Sequence, residues 1–212
     1  MTGTLPDLSL ELEAISSGHA RIAGVDEVGR GPWSGPVVAA AVILDPDNIP
    51  AGLNDSKKLT AARRESLMAE ITACAAVGIG EATVAEIDEV NILQASFLAM
   101  RRALDNLTTP PDFVLVDGRH IPPGLPCQAQ AVIKGDGRSL SIAAASIVAK
   151  VTRDRIMVAL SQQFPGYAWE TNMGYGTKAH VEGLNLHGVT QHHRRSFKPI
   201  HNMLRKAKSL SA

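Results

Sequence analysis

Ile22-Ala-Gly-Val-Asp26-Glu27-Val-Gly29-Arg30-Gly31 is an apolar run that ends in two adjacent carboxylates and a glycine-arginine-glycine turn. Carboxylates at the end of a buried strand are costly unless a cation binds them. A guanidinium on a glycine hinge can reach an anion that the same cation touches. The stretch therefore indicates a strand whose carboxyl end presents a metal site and a phosphate site.

The segments that follow this run predict a sheet flanked by helices. Strand-like composition occurs at residues 21–28, 36–44, 77–83, 113–117 and 128–133. Helical periodicity occurs at residues 60–73, 91–107, 140–160, 177–186 and 200–207. The first two strands are joined by a Gly/Pro-rich connection that suits antiparallel neighbours, whereas strand, helix, strand implies a crossover. We therefore expect a mixed sheet in an α/β fold.

Length and composition indicate one folded domain with an appendage. The chain has 212 residues, of which 45% are hydrophobic, and this is enough for one sizeable core. No apolar run approaches the ~18 residues that a membrane span needs. The N-terminal segment carries Asp7, Glu11 and Glu13 and lacks the basic start of a secretion signal. We expect a cytoplasmic protein.

The charges are distributed unevenly, although the formal net charge is zero. Residues 150–208 contain ten Lys or Arg and three Asp or Glu, and the remainder contains eleven and eighteen. The acidic part carries the expected metal site, and the basic part could hold a polyanion over it. A solvated basic face is the alternative interpretation of the same run.

Four carboxylates lie at or just beyond the ends of apolar strands: Asp26, Glu27, Asp117 and Asp136. Ligands gather at the carboxyl ends of strands in open sheets, so these side chains could converge. Oxygen ligands favour Mg²⁺ or Mn²⁺. Two such ions about 4 Å apart could activate a water and stabilise the leaving oxygen of a phosphodiester. Alternatively, Asp117 and Asp136 are turn formers, because each precedes a glycine.

Glu27 poses a geometric question, because successive residues of a regular strand point to opposite faces. We therefore expect the strand to end or distort at Glu27, and Gly29 permits that. The sequence lacks the Gly-x4-Gly-Lys-Ser/Thr pattern of a nucleotide-binding loop and the Gly-x-Ser-x-Gly pattern of a nucleophile elbow. We therefore expect the carboxylates to act on the phosphodiester backbone of a polymer.

Further blocks of the sequence, together with the opening run, resemble bacterial ribonuclease HII. In chain order they are Gly35-Pro-Val-Val-Ala-Ala-Ala-Val-Ile43, Asn54-Asp-Ser-Lys-Lys-Leu59, Val116-Asp-Gly118, Lys134-Gly-Asp136, Ser141-Ile-Ala-Ala-Ala-Ser-Ile-Val-Ala-Lys-Val-Thr-Arg-Asp154, Gly174-Tyr-Gly-Thr-Lys-Ala-His180 and Arg194-Arg-Ser-Phe197. The resemblance implies a ribonuclease H-like fold, a five-stranded mixed sheet flanked by helices with a small C-terminal helical lobe. It implies an N-terminal extension over 1–19, a catalytic domain over 20–164 and a substrate-binding lobe over 165–212.

The resemblance also implies an activity, namely metal-dependent endonucleolytic hydrolysis of the RNA strand of RNA/DNA hybrids. The cut is expected 5′ of single ribonucleotides in duplex DNA, leaving 3′-hydroxyl and 5′-phosphate ends, as in ribonucleotide removal. Asp26, Glu27, Asp117 and Asp136 would be catalytic and would bind Mn²⁺ or Mg²⁺, two ions during catalysis. The protein is expected to act as a monomer. The alternatives are a junction resolvase of the same superfamily and a non-catalytic hybrid-binding protein.

The residues that would contact the substrate follow from the same resemblance. Gly29, Arg30 and Gly31 would contact the ribonucleotide, and Tyr175 would stack where ribose gives way to deoxyribose. The expected phosphate contacts are Lys57, Lys58, Ser146, Lys150, Arg194 and Arg195. The chain departs from the family pattern at Met173, where lysine is usual, so one phosphate contact is expected to be missing.

Overall fold

A computed structural model describes residues 5–210, which form two compact units. The first, the sheet unit, contains the chain up to Val28 together with residues 38–81 and 97–151. The second unit contains residues 29–37, residues 82–96 and the chain from Thr152 onward. Both units are discontinuous in sequence, and the expected lobe over 165–212 forms only part of the second unit.

The sheet has five strands and is mixed, as predicted. The strands are β1 (Ile22–Val28), β2 (Val37–Ile43), β3 (Ala76–Ala82), β4 (Phe113–Asp117) and β5 (Gln128–Val132). Their order across the sheet is β3-β2-β1-β4-β5. Strand β1 is antiparallel to β2 and parallel to β4, and β4 is parallel to β5. The carboxyl ends of β1, β4 and β5 therefore lie at the same edge of the sheet.

The helices are α1 (Ser9–Ser16), α2 (Ala61–Cys74), α3 (Val84–Asp105), α4 (Leu140–Gln163), α5 (Trp169–Asn172), α6 (Lys178–His187) and α7 (Lys198–Leu210). Two short 3₁₀ turns lie over Ser56–Lys58 and Gly135–Gly137. Helix α1, inside the expected N-terminal extension, was not predicted. Across residues 5–210, no helix is both long and apolar enough to cross a membrane.

The core of the sheet unit depends on small residues that let α4 approach the sheet. Ala143, Ala144 and Ala145 of α4 are fully buried. At Gly24 of β1, an added Cβ would lie only 2.1 Å from the carbonyl carbon of Ser141, so any larger residue would collide with the α4 backbone. Glycine at this position therefore brings the start of α4 directly onto the strand that carries the first carboxylates.

Strand β1 stays regular through the acidic pair, so the expectation that it ends or distorts at Glu27 is wrong. Glu27 pairs with Ala39 and Val28 pairs with Val38 in an uninterrupted antiparallel register. The hydrogen bonds of this ladder hold the backbone extended. The turn begins at Gly29, whose φ of 96° suits glycine.

The second unit has a core of its own. Its buried apolar side chains belong to Met157, Tyr167, Trp169, Leu184 and Ile200. The rings of Tyr167 and Trp169 stack with their centroids 4.9 Å apart. Met173, in the loop between α5 and α6, packs against this core.

Candidate active site

Asp26 and Asp117 occupy equivalent places on neighbouring parallel strands. The register pairs Val25 of β1 with Val116 of β4, and each aspartate is the next residue along its strand. Residues in register on adjacent strands point to the same face. Asp26 is buried, with 6% of its surface exposed, and Asp117 is half-buried. The predicted convergence of these two carboxylates is therefore present at one edge of the sheet.

Asp136 is brought to the same edge by a hydrogen bond from its own turn to Asp117. The backbone N–H of Gly135 donates to Oδ1 of Asp117 at 2.6 Å, and Asp136 is the next residue. An added Cβ at Gly135 would lie 2.6 Å from Cδ1 of Ile142, so the turn packs tightly against α4. Lys134, which precedes the turn, adopts a left-handed conformation with φ 55°. Asp117 thus helps to place Asp136 as well as presenting its own carboxylate.

The carboxylates act on one another electrostatically. Burial raises the pKa of Asp26 well above its ordinary value, and the charges of Glu27, Asp117 and Asp136 raise it further. A hydrogen bond from Ser146 opposes this rise. Burial also raises the pKa of Asp136, together with the charges of Asp55 and then Asp117, while the charge of Lys57 lowers it. These are the shifts expected of like charges crowded at a site that a cation would neutralise.

The donor set fits a hard divalent cation, although the side chains do not form a coordination shell in this structure. Among residues 5–210, no group of three or more His, Cys, Asp or Glu side chains is arranged to hold a metal ion. The charge of Glu27 nevertheless reaches Asp26, and its backbone N–H donates to Asp26 Oδ1 at 2.7 Å. Carboxylate oxygens are the ligands that Mg²⁺ and Mn²⁺ prefer.

Cationic side chains surround Asp136 in a pocket of about 540 Å³. The lining residues are Asp55, Lys57, Lys58, Ile133, Lys134, Asp136, Gly137 and Arg138. Lys57 Nζ lies 3.7 Å from Asp136 Oδ2, and Asp55 Oδ1 accepts the Lys57 backbone N–H. Two of these cations, Lys134 and Arg138, were not predicted. The sequence feature that could have indicated them is that they lie on either side of Asp136, each two residues away.

In the second unit, the structure brings the glycine-arginine-glycine turn next to Tyr175. An added Cβ at Gly31 would lie 3.3 Å from Cε1 of Tyr175, so a glycine there leaves room for the ring. Tyr175 is 50% exposed. Its ring is therefore accessible on one side while it borders the turn on the other.

Arg194, which the sequence predicts as a phosphate contact, lies inside this turn. It is fully buried, and its guanidinium donates to the carbonyl oxygens of Gly29, Arg30, Gly35 and Pro36 at distances between 2.6 and 3.1 Å. Burial lowers its pKa to about 9. These four bonds use four of the five guanidinium N–H donors, so in this structure Arg194 binds backbone carbonyl oxygens.

Arg153 supports the same segment from helix α4. It is 1% exposed and donates to the carbonyl oxygens of Ser34, Pro36 and Met173. Burial lowers its pKa to about 10. Two buried guanidinium groups therefore hold the chain that follows β1. A count of charged residues could not reveal this role, because it does not distinguish buried arginines from exposed ones.

The remaining expected contacts differ in exposure. Lys57, Lys58 and Arg195 are exposed, and Lys150 is half-buried. Ser146 is buried, with its hydroxyl 2.8 Å from that of Ser56 and hydrogen-bonded to Asp26. Ser146 therefore orients a carboxylate in this structure rather than facing solvent. Met173, the departure from the family pattern, packs against the core of the second unit.

The sheet order and its acidic edge define a ribonuclease H-like α/β protein. The crystal structure of ribonuclease H2 from Pyrococcus horikoshii OT3 is similar, with a TM-score of 0.75 and 29% identity, covering 89% of this chain and 99% of that chain. The family model for ribonuclease HII matches residues 23–200. A ribonuclease HII of Ruegeria pomeroyi is 65% identical over 201 residues, which cover 95% of this chain and 86% of the relative. One of Cereibacter sphaeroides is 62% identical and covers 97% of both chains.

The chain belongs to the ribonuclease HII family. Family membership excludes the junction-resolvase alternative and confirms the resemblance found in the sequence motifs. It does not assign the individual residues, whose roles rest on the geometry described above.

Proposed function

We propose that the chain is a divalent-metal-dependent endoribonuclease that hydrolyses the RNA strand of RNA/DNA hybrids and cuts 5′ of single ribonucleotides in duplex DNA. The products would carry 3′-hydroxyl and 5′-phosphate ends. The observation that carries the proposal is the in-register placement of Asp26 and Asp117, with Asp136 held beside them by the Gly135–Asp117 hydrogen bond. The protein would act in the cytoplasm as a single chain.

The four carboxylates would share the work of holding Mn²⁺ or Mg²⁺. Asp26, with its raised pKa, gains most from a cation, because the cation relieves its repulsion by the other three. Bound ions of this kind supply activation of water and stabilisation of the leaving oxygen. Ser146 would keep Asp26 oriented, and Asp117 would keep the turn of Asp136 in place.

The cations around Asp136 would hold the nucleic-acid backbone without reading its sequence. Lys57 and Lys58 stand on a 3₁₀ turn that Asp55 caps, so both are presented at the pocket. Lys134 and Arg138 line the same pocket from the turn of Asp136. Contacts of this kind position a duplex and make its binding depend on salt.

Recognition of the ribose would come from the second unit. Glycines at positions 29 and 31 allow close approach of the backbone to a 2′-hydroxyl, the group that distinguishes RNA from DNA. Tyr175 would stack on the neighbouring deoxyribonucleotide, since its ring is accessible beside Gly31. Arg194 would fix the turn from below through the carbonyl oxygens of Gly29 and Arg30.

The test is incubation with a labelled DNA duplex that holds one ribonucleotide, with Mg²⁺, with Mn²⁺ and with chelator. We expect cleavage on the 5′ side of the ribonucleotide with either metal and none with chelator. Asp26→Asn should abolish cleavage, whereas Asp47→Asn, an exposed carboxylate remote in sequence from the proposed ligands, should not. Undiminished cleavage after exhaustive chelation, or by Asp26→Asn, would overturn the metal mechanism. Hybrid binding without any cleavage by the wild type would favour the non-catalytic alternative.

A further inference from the structure

A buried polar cluster in the second unit centres on His180. His180 and His193 are both fully buried, and their Nε2 atoms lie 3.1 Å apart. The indole N–H of Trp169 donates to His180 Nε2 at 3.1 Å. On its other side, His180 Nδ1 lies 2.9 Å from the carbonyl oxygen of Tyr175. One imidazole thus links the core of the unit to the loop that carries the exposed tyrosine.

The hydrogen-bond partners assign the proton positions in this cluster. A carbonyl oxygen only accepts, so His180 carries its proton on Nδ1 and donates it to Tyr175. The backbone N–H of Thr190 donates to His193 Nδ1 at 3.0 Å, which leaves the proton of His193 on Nε2, facing His180. Burial lowers the pKa of His180, and it lowers the pKa of His193 to about 3. Both rings are therefore neutral near pH 7.

Other residues of the second unit hold the two residues that precede Tyr175: the Trp33 backbone N–H donates to the Gly174 carbonyl at 2.8 Å, and Arg153 donates to the Met173 carbonyl at 3.0 Å. The His180 ring is the side chain that reaches the Tyr175 carbonyl itself. The Tyr175 loop runs between α5 and α6, and the Tyr175 backbone N–H donates to the Asn172 carbonyl at 2.9 Å. The Tyr175 carbonyl also accepts the N–H of Thr177 at 2.8 Å, a bond within three residues that shapes the turn without orienting it on the unit. The bond from His180 ties the same oxygen to a helix and to the buried cluster.

We propose that His180 is a positioning residue that fixes the Tyr175 carbonyl and thereby sets the exposed ring for recognition of the ribose–deoxyribose junction. The inference rests on the proposed stacking role of Tyr175. A histidine suits the place because its two nitrogens serve different partners. Nδ1 donates to the loop, and the single lone pair of Nε2 is shared by the N–H groups of Trp169 and His193, with the Ser34 hydroxyl 3.3 Å away. His193 acts indirectly, because its Nε2–H contacts Nε2 of His180 and so helps to hold that ring in place.

Two substitutions of His180 separate this role from a merely structural one. The amide nitrogen of His180→Asn falls near the place of Nδ1, so it keeps a donor for Tyr175 but leaves the Trp169 and His193 donors unpaired. The amide of His180→Gln reaches the place of Nε2, so it keeps an acceptor for those donors but loses the bond to Tyr175. His180→Asn should therefore lower stability and keep substrate selection. His180→Gln should keep stability and lower substrate selection.

The readout is kcat/KM on a lone-ribonucleotide duplex divided by kcat/KM on a continuous RNA/DNA hybrid, together with the urea midpoint. We expect His180→Gln to lower the ratio by up to about tenfold, the equivalent of one hydrogen bond, and His180→Asn to stay within about threefold of wild type. His180→Asn should nevertheless be the less stable protein. A wild-type ratio in His180→Gln, or an equal loss in both variants, would overturn the inference.

Two further measurements keep the outcome unambiguous. Tyr175→Ala should lower the same ratio; if it does not, the stacking role of Tyr175 fails first and the positioning role fails with it. If Tyr175→Ala lowers the ratio and His180→Gln does not, only the positioning role fails. Should both His180 variants fail to fold, nitrogen-15 spectra of the wild-type imidazoles decide, since the inference requires the Nδ1–H tautomer at His180 and an Nε2–H tautomer there would contradict it.

Discussion

Arg194→Lys tests whether a buried guanidinium, rather than a surface phosphate contact, governs substrate selection. Arg194 donates to four backbone carbonyls of residues 29–36, and lysine keeps the charge but offers its donors from a single point. At least two of these bonds should be lost. Because a hydrogen bond to a charged group contributes about 1.5–3 kcal/mol, we expect the free energy of unfolding to fall by about 3–6 kcal/mol.

The matched control is Arg195→Lys, the same exchange at the adjacent, exposed position. Urea denaturation should show a change below about 0.5 kcal/mol for Arg195→Lys. Cleavage at a lone ribonucleotide should fall at least about tenfold in Arg194→Lys, since the turn that approaches the ribose is no longer held. The salt dependence of hybrid binding should stay unchanged in Arg194→Lys and flatten in Arg195→Ala, because only the exposed arginine is available to a phosphate. Equal stability of the two lysine variants would refute the assignment of Arg194 to the turn.

The remaining predictions concern the acidic edge, the buried histidines and the close packing of β1. Asp26→Asn should leave the free energy of unfolding unchanged or raised in metal-free buffer, because burial and neighbouring carboxylates raise the pKa of Asp26; a clear destabilisation in urea would contradict this. His193 has its pKa lowered from 6.5 to about 3, so the unfolded chain binds the proton first and stability is lost as pH falls below 6.5. The loss between pH 7 and pH 5 should be about 2 kcal/mol, and His193→Gln should remove that part of the pH dependence in urea titrations. Gly24→Ala should destabilise the protein by more than about 4 kcal/mol or prevent folding, since its Cβ would collide with the α4 backbone, whereas Gly137→Ala, where the nearest atom is 3.9 Å away, should fold normally.

Much of the sheet could be predicted because its strands are short apolar runs with clear ends. The run Phe113–Asp117 ends in Asp-Gly and forms β4 with the predicted bounds. Helix α3 shows the limit of periodicity. It begins at Val84 and is interrupted at Asn91, whose φ is 69° and whose side chain accepts the Leu93 N–H. The predicted start at Asn91 is thus a cap inside a longer element, and the helical residues 84–90 before it were not predicted.

The site was predicted in part, and the misses have physical causes. The positions of Asp26, Asp117 and Asp136 follow from strand ends and could be read from the sequence. The burial of Arg194 could not, because a basic residue in a basic run has the same pattern whether it faces a phosphate or a set of carbonyl oxygens. Nothing in the spacing of His180 and His193 indicates that their rings meet, since that contact depends on how α6 packs against the following segment.

The most direct measurement is the single-turnover rate of cleavage at a lone ribonucleotide by Asp117→Asn, with protein in excess and Mn²⁺ present. Asparagine keeps an oxygen that can accept the Gly135 N–H, so the turn carrying Asp136 should stay in place while the carboxylate charge is lost. We expect the rate to fall at least about a thousandfold while duplex binding is retained. A folded Asp117→Asn protein that cleaves at near wild-type rate would contradict the assignment of catalysis to the acidic edge of the sheet.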